Sequence, residues 1–156
     1  MLYKKILRLG AILMPVLYML WIWLQSSHFN PSSIEHVFYD MDLKLIVFIG
    51  GTLELAHLIE FGLLYLFIVV AFLTYGKLTR KKEIISLSIA LCYSLIDEFH
   101  QLYVPFRSFS LIDIVKNFIG VWVFWLIVHK NYFTNKDTKI GTILKGIGTI
   151  SDNKSM

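Results

Sequence analysis

The apolar positions of this chain do not alternate with polar ones. They run on in four stretches, Ile6 to Leu24, Leu53 to Tyr75, Ile84 to about Val104, and Leu111 to Val128. A helix needs roughly 20 residues to cross a hydrocarbon core of about 30 Å, and each stretch comes near that length. Continuous runs exclude a transmembrane β-barrel, whose strands alternate between lipid-facing and lumen-facing side chains. The predicted architecture is all-α, with four transmembrane helices. The first stretch follows Lys4, Lys5 and Arg8 like a signal peptide, but its apolar region is too long and no small-residue cleavage site follows Leu24, so it reads as an anchor.

The connections differ in character. Tyr75 to Glu83 is short and basic, which makes the second and third helices antiparallel neighbours. Gln25 to Thr52 is longer and carries Glu35, Asp40 and Asp42. In it, Ser32 and Glu35 have capping-box spacing, so a short helix is expected to end before Gly50 and Gly51. The run Leu43 to Ile49 is too short to span and reads as interfacial or re-entrant. Residues 1–130 form the membrane domain, and 131–156, without a firm hydrophobic period, read as a mobile or loosely surface-associated cytoplasmic tail.

Composition sharpens this picture. At 56% hydrophobic residues and a mean hydropathy of +0.64, the 156-residue chain reads as an integral membrane protein of one domain. The single cysteine, Cys92, excludes an intrachain disulfide and a zinc-type cysteine cluster. Of 15 basic residues only Lys44, Arg107 and Lys116 fall outside the segments before the first helix, between the second and third, and after the fourth. The positive-inside rule then makes both termini cytoplasmic in a multi-pass membrane protein. Trp21 and Trp23 suit the outer aromatic belt, and Tyr75 and Tyr132 the inner one. The pI of about 9.1 follows from topology and needs no nucleic-acid partner.

The ionisable residues inside the apolar stretches carry the candidate chemistry, because charges in a bilayer are costly and mark functional sites by default. Glu54, His57 and Glu60 recur at three-residue spacing and share a helical face. Asp97, Glu98, His100 and Gln101 occupy about half the circumference of the third helix, and Asp113, Lys116, Asn117 and Gly120 one face of the fourth. All three groups lie toward the outer side, so helices hiding them from lipid are expected to form a shared outward pocket. There Asp97 or Glu98 could serve as a general acid or base, while Arg107 grips a phosphate or carboxylate bidentately.

Bland readings stand beside these. Ser110 and Asp113 match a helix-capping pattern, so Asp113 is as readily a cap as a catalytic group. His57 with Glu60 fits a structural pair, and Glu54 and His100 fit contact with interfacial water. His57, Glu60, Glu98 and Asp113 could gather a divalent cation, but no ligand spacing is diagnostic, and nothing marks His57 and His100 as haem ligands. No cofactor is expected. Confinement of the polar groups to the outer half argues against a transport conduit.

The string Asp97, Glu98, His100, Gln101, then Val104, Pro105, Arg107, then Ser110, Leu111, Asp113, Asn117 and Gly120 resembles the signature of the VanZ-like membrane protein family. That pattern runs E-x-x-Q, a V-P-G-R-like turn, S-L-x-D and x-x-x-N-x-x-G. His57 and Glu60 in AHLIEFGLL resemble a second family motif, and Gln25 to Ser27 the Q-S-S that follows its first helix. The likeness covers Leu9 to Val128, with Phe106 where the family commonly has glycine. It implies a four-helix plasma-membrane protein of a family named for a member linked to low-level teicoplanin resistance, and it supplies no reaction. The expected site is Asp97, Glu98 and Asp113 as candidate catalytic groups, with Arg107, Gln101, Asn117, His57 and Glu60 binding substrate. Its partners would be membrane lipids, a lipid-linked wall precursor or a glycopeptide, with a small ion-coupled transporter as the alternative.

Overall fold

The computed structural model describes residues 2–28, 42–105, 107–134 and 138–152, and within its helices the side chains of Glu54 and His57 are not described. The Ser32–Glu35 capping reading and Phe106 also lie outside the described residues. Helices make up 86% of the structure, and no strand occurs among the described residues. The described residues form five helices, in order α1 (Leu2–His28), α2 (Leu43–Leu73), α3 (Arg80–Gln101), α4 (Leu111–Phe133) and α5 (Lys139–Asp152).

α2 is the central element, packing against each of the other four, most extensively against α4. Its residues Phe61, Leu64, Tyr65, Ile68, Val69 and Leu73 recur at three- and four-residue steps and form the core face, all at most 5% exposed. Ile22 of α1, Ala90 of α3, Val121 and Val128 of α4 and Leu144 of α5 complete the core. Small residues set the α2–α4 approach. A Cβ on Gly120 would fall 1.8 Å from the carbonyl oxygen of Leu58, and one on Gly62 would fall 2.3 Å from the Phe124 ring. Such close backbone contact is the packing mode of membrane helices, which associate without a hydrophobic driving force between them.

The outer surface is apolar. Leu13, Leu17 and Leu20 on α1, Ile84, Ile85, Ile96 and Phe99 on α3, and Leu111, Ile112, Val115, Ile119 and Trp122 on α4 are all exposed. Soluble monomers rarely expose contiguous apolar surface on this scale. Two segments, Lys5–His28 and Leu111–Phe133, are long and apolar enough to cross a membrane. α3 is inverted relative to a water-soluble helix: of its buried residues Glu83, Ser86, Ala90, Ser94, Asp97, Glu98 and Gln101, only Ala90 is apolar.

Two expectations from the sequence are corrected. Leu43 to Ile49 is not a separate interfacial segment; it opens α2, which continues through Gly50 and Gly51. Asp42 caps the start by accepting from the Lys44 N–H, and the Thr52 hydroxyl donates back to the Phe48 carbonyl. Two glycines cost only about 1 kcal/mol each in a helix interior, too little to stop an otherwise apolar run. Within the tail, Lys139–Asp152 is helical and docked, not without order. Thr138 accepts from the Gly141 N–H at its start, and Leu144 is 4% exposed. Its three glycines hide the helical signal because they lower propensity, while Gly141 lets the helix approach the carbonyl of Asn131.

The α2–α3 connection is tight, as its length implied. Gly76 takes a positive φ of 106°, and Lys82 Nζ donates to the carbonyls of Phe72, Tyr75 and Lys77. One lysine thereby closes the C-terminal end of α2, where carbonyls lack intrahelical partners.

Candidate functional site

One polar cluster grows from the last turn and a half of α3. Asp97 and Gln101 are four residues apart, so they share a face, and the Gln101 amide donates to Asp97 Oδ2 at 2.8 Å. Gln101 Oε1 accepts from Arg107 Nη2 at 2.6 Å, which pins the arginine of the α3–α4 loop to the helix. Ser26 of α1 faces Asp97 from the other side. Glu60 of α2 lies within electrostatic reach of both Asp97 and Arg107, and Glu98 of the same guanidinium. Three carboxyl groups from two helices therefore lie within electrostatic reach of one arginine.

Glu98 does something the sequence pattern did not reveal. Ser110 is the N-cap of α4, its hydroxyl accepting from the Asp113 N–H at 3.2 Å. The backbone N–H of Ser110 itself donates to Glu98 Oε2 at 3.1 Å. In a capping box that acceptor comes from the third residue of the same helix; here it comes from the preceding one. Asp113 forms an ion pair with Lys116 at 2.9 Å, with about a quarter of each side chain exposed. Ser110 thus caps α4, while the Asp113 carboxylate pairs with Lys116 and does not receive the Ser110 N–H.

Asp97, Glu98, Gln101 and Asn117 are each at most 4% exposed, and Glu60 is 8% exposed. Buried polar atoms nearly always find partners. Among the described residues, Glu98 Oε1 and Asn117 Oδ1 find no hydrogen-bond partner. They are acceptors suited to a donor from outside the chain. His100, expected at interfacial water, instead stacks on Trp23 of α1 with ring centroids 3.6 Å apart, and its Nε2 lies 3.5 Å from Ser27 Oγ.

The structure thus brings together Asp97, Glu98, Gln101, Arg107 and Glu60, and places Asp113 beside Lys116 at the start of α4. The His57 side chain lies outside the described residues. Among the described residues no three His, Cys, Asp or Glu side chains converge as a metal site.

A second polar cluster, at the other end of α3, went unread in the sequence. Glu83, 2% exposed, accepts from Arg80 Nη1 at 3.2 Å and contacts His129 Nδ1 of α4 at 2.7 Å. Arg80 counted only toward topology, and Glu83 and His129 were assigned no role. The available signal was a carboxylate three residues after an arginine, opposite a lone histidine ending an apolar helix. Buried polar residues are therefore not confined to one end of α3.

The fold is all-helical among the described residues, turns ionisable faces inward and includes two helices long and apolar enough to cross a membrane. The chain belongs to the VanZ/LLP1 family, whose model matches residues 11–133. No curated protein and no solved structure matches it.

Proposed function

We propose that this VanZ-like protein crosses the bacterial plasma membrane four times, by α1 to α4, with both termini in the cytoplasm. Its outer cluster is a pocket that binds or modifies an envelope amphiphile: a lipid, a lipid-linked wall precursor or a glycopeptide, contributing to teicoplanin resistance. The observation that carries this reading is the chain Asp97–Gln101–Arg107, buried beside Glu60 and Glu98 at the juncture of α3 and the α3–α4 loop.

The chemistry fits a ligand of mixed charge. Arg107 offers a planar donor fork for phosphate or carboxylate, while Glu60, Asp97 and Glu98 accept from hydroxyl or ammonium groups. A simple anion would meet three carboxyl groups at once, whereas wall precursors and glycopeptides carry acceptors and donors together. Asp97 or Glu98 is the candidate acid or base for a modifying step, and Asn117 a candidate donor and acceptor for orientation.

Comparison of envelope lipids and wall precursors in cells with and without the gene tests this reading. Altered precursors indicate a modifying enzyme, and unaltered precursors with lost teicoplanin resistance indicate a binder; unchanged precursors and unchanged susceptibility contradict both. The second reading, a proton- or ion-coupled transporter, gains support from the buried polar face of α3, which runs from Glu83 through Ser86 and Ser94 to Asp97. Ion flux into proteoliposomes that disappears in Asp97→Asn would favour it.

A further inference from the structure

The inner cluster holds an arginine in a way that internal packing alone does not use up. Arg80 opens α3, and its guanidinium lies 4.1 Å from the centroid of the Phe133 ring, a cation–π distance. Among the described residues, every hydrogen bond of its side chain uses the same nitrogen. Nη1 reaches Glu83 Oε2 at 3.2 Å and lies 2.7 and 2.8 Å from the two ring nitrogens of His129. His129 is held in turn by Glu83 Oε1 at 2.7 Å and packed against Trp125 and Phe133. The guanidinium is thus fixed on its face and along one corner, while Nε and Nη2 remain as an uncommitted edge of the fork. The Arg80 side chain is 57% exposed, so that edge is accessible.

Its surroundings favour an anion. Arg80 and Lys81 are the first residues of α3, where N–H groups have no intrahelical acceptor and the helix dipole is positive. The Thr79 hydroxyl and carbonyl serve the N–H groups of Lys82 and Glu83, beyond the first two. Lys77, Lys81 and Lys130 are exposed at this end, and Lys82 is engaged in closing α2. Glu83 is the one described acidic side chain in the cluster, and both of its oxygens are committed to Arg80 and His129. Behind it, Tyr65 is fully buried beside Glu83, and its hydroxyl makes no hydrogen bond within the protein.

We propose that Arg80, clamped by Phe133, Glu83 and His129, is a binding site for a phosphate group at the basic end of the bundle. A phosphate takes two parallel N–H donors from the free guanidinium edge, a geometry lysine cannot reproduce. The first N–H groups of α3 add donors of the kind that hold phosphates at helix N-termini. The phosphate belongs to an anionic lipid headgroup or to a soluble phosphate ester; the chemistry of recognition is shared. This site is separate from the outer cluster and does not depend on its role.

The test uses the full chain, purified in a non-ionic detergent, with native mass spectrometry reading retention of phosphatidylglycerol, phosphatidylcholine and inorganic phosphate. Retention of phosphatidylglycerol over phosphatidylcholine, with or without inorganic phosphate, is expected, and it should weaken about tenfold in Arg80→Ala. Inorganic phosphate bound as well identifies a general phosphate site; phosphatidylglycerol alone identifies a lipid site. Arg80→Lys should recover only part of the loss, and Lys81→Ala should lose much less than Arg80→Ala. Should Arg80→Ala fail to fold, Phe133→Leu, which removes the face support and keeps the charge, should show the same direction of loss. Equal retention by wild type and whichever of these variants folds, or equal losses in Lys81→Ala and Arg80→Ala, would overturn the site in favour of non-specific basic charge. Because the loss is read in Arg80→Ala with the outer cluster left intact, it is independent of whatever that cluster binds.

Discussion

Glu98 joins two helices through one oxygen. Because Oε2 accepts the Ser110 N–H, truncation in Glu98→Ala orphans the first donor of α4 and should cost roughly 1–3 kcal/mol, read as a lowered midpoint of denaturant unfolding in micelles. Glu98→Gln keeps a carbonyl acceptor at that place and should unfold close to wild type, which makes it the right probe of charge without loss of fold. Ser110→Ala removes the cap acceptor for the Asp113 N–H and should cost about 1 kcal/mol. The Ser110–Asp113 spacing was legible in the sequence because capping is local, three residues along one helix. The Glu98 partnership spans a loop of the chain and leaves no periodic trace. Glu83 and His129 leave no local trace for the same reason: their contact joins residues 46 apart in the chain, on two different helices.

At the scale of the elements, the crossing of α2 and α4 depends on Gly120 lacking a side chain. Gly120→Ala would drive a methyl group into the Leu58 carbonyl, a backbone atom that cannot swing aside, and should destabilise the bundle by roughly 1–3 kcal/mol. Gly10→Ala, with nothing within 4 Å, should be neutral or slightly stabilising, since alanine is the better helix former. Thermal unfolding of the two variants in the same detergent checks the contrast. α5 docks through Gly141 and Leu144, so Gly141→Val should release it and expose the chain after Phe133 to protease while the rest of the bundle stays resistant. Three apolar stretches mapped onto α1, α3 and α4 within a few residues, because long uninterrupted runs are strong signals. The fourth fixed the C-terminal part of α2 but not its start. Segmenting by glycine failed there, since packing and a capped start carry a helix past two residues of low propensity.

For the molecule as a whole, the inversion of α3 is the organising fact: apolar residues face outward, and ionisable ones face α1, α2 and α4. This much followed from the sequence, because helices in lipid must hide charge from it. That the buried polar face would continue to Glu83 did not, since the basic residues beside it read as topology alone. The proposed four-span topology implies opposite accessibility for the two loops flanking α3. In a Cys92→Ser background, Tyr103→Cys, at a position 86% exposed, should react with a membrane-impermeant maleimide in intact cells, and Lys77→Cys only after permeabilisation. Labelling of both from outside would contradict the topology. The central claim, that the Asp97–Gln101–Arg107 chain and Glu98 form a working site facing the envelope, is tested most directly by teicoplanin susceptibility of cells carrying Glu98→Gln or Arg107→Ala at wild-type membrane abundance. Loss of resistance in both variants is the expected result; wild-type resistance in both would contradict it.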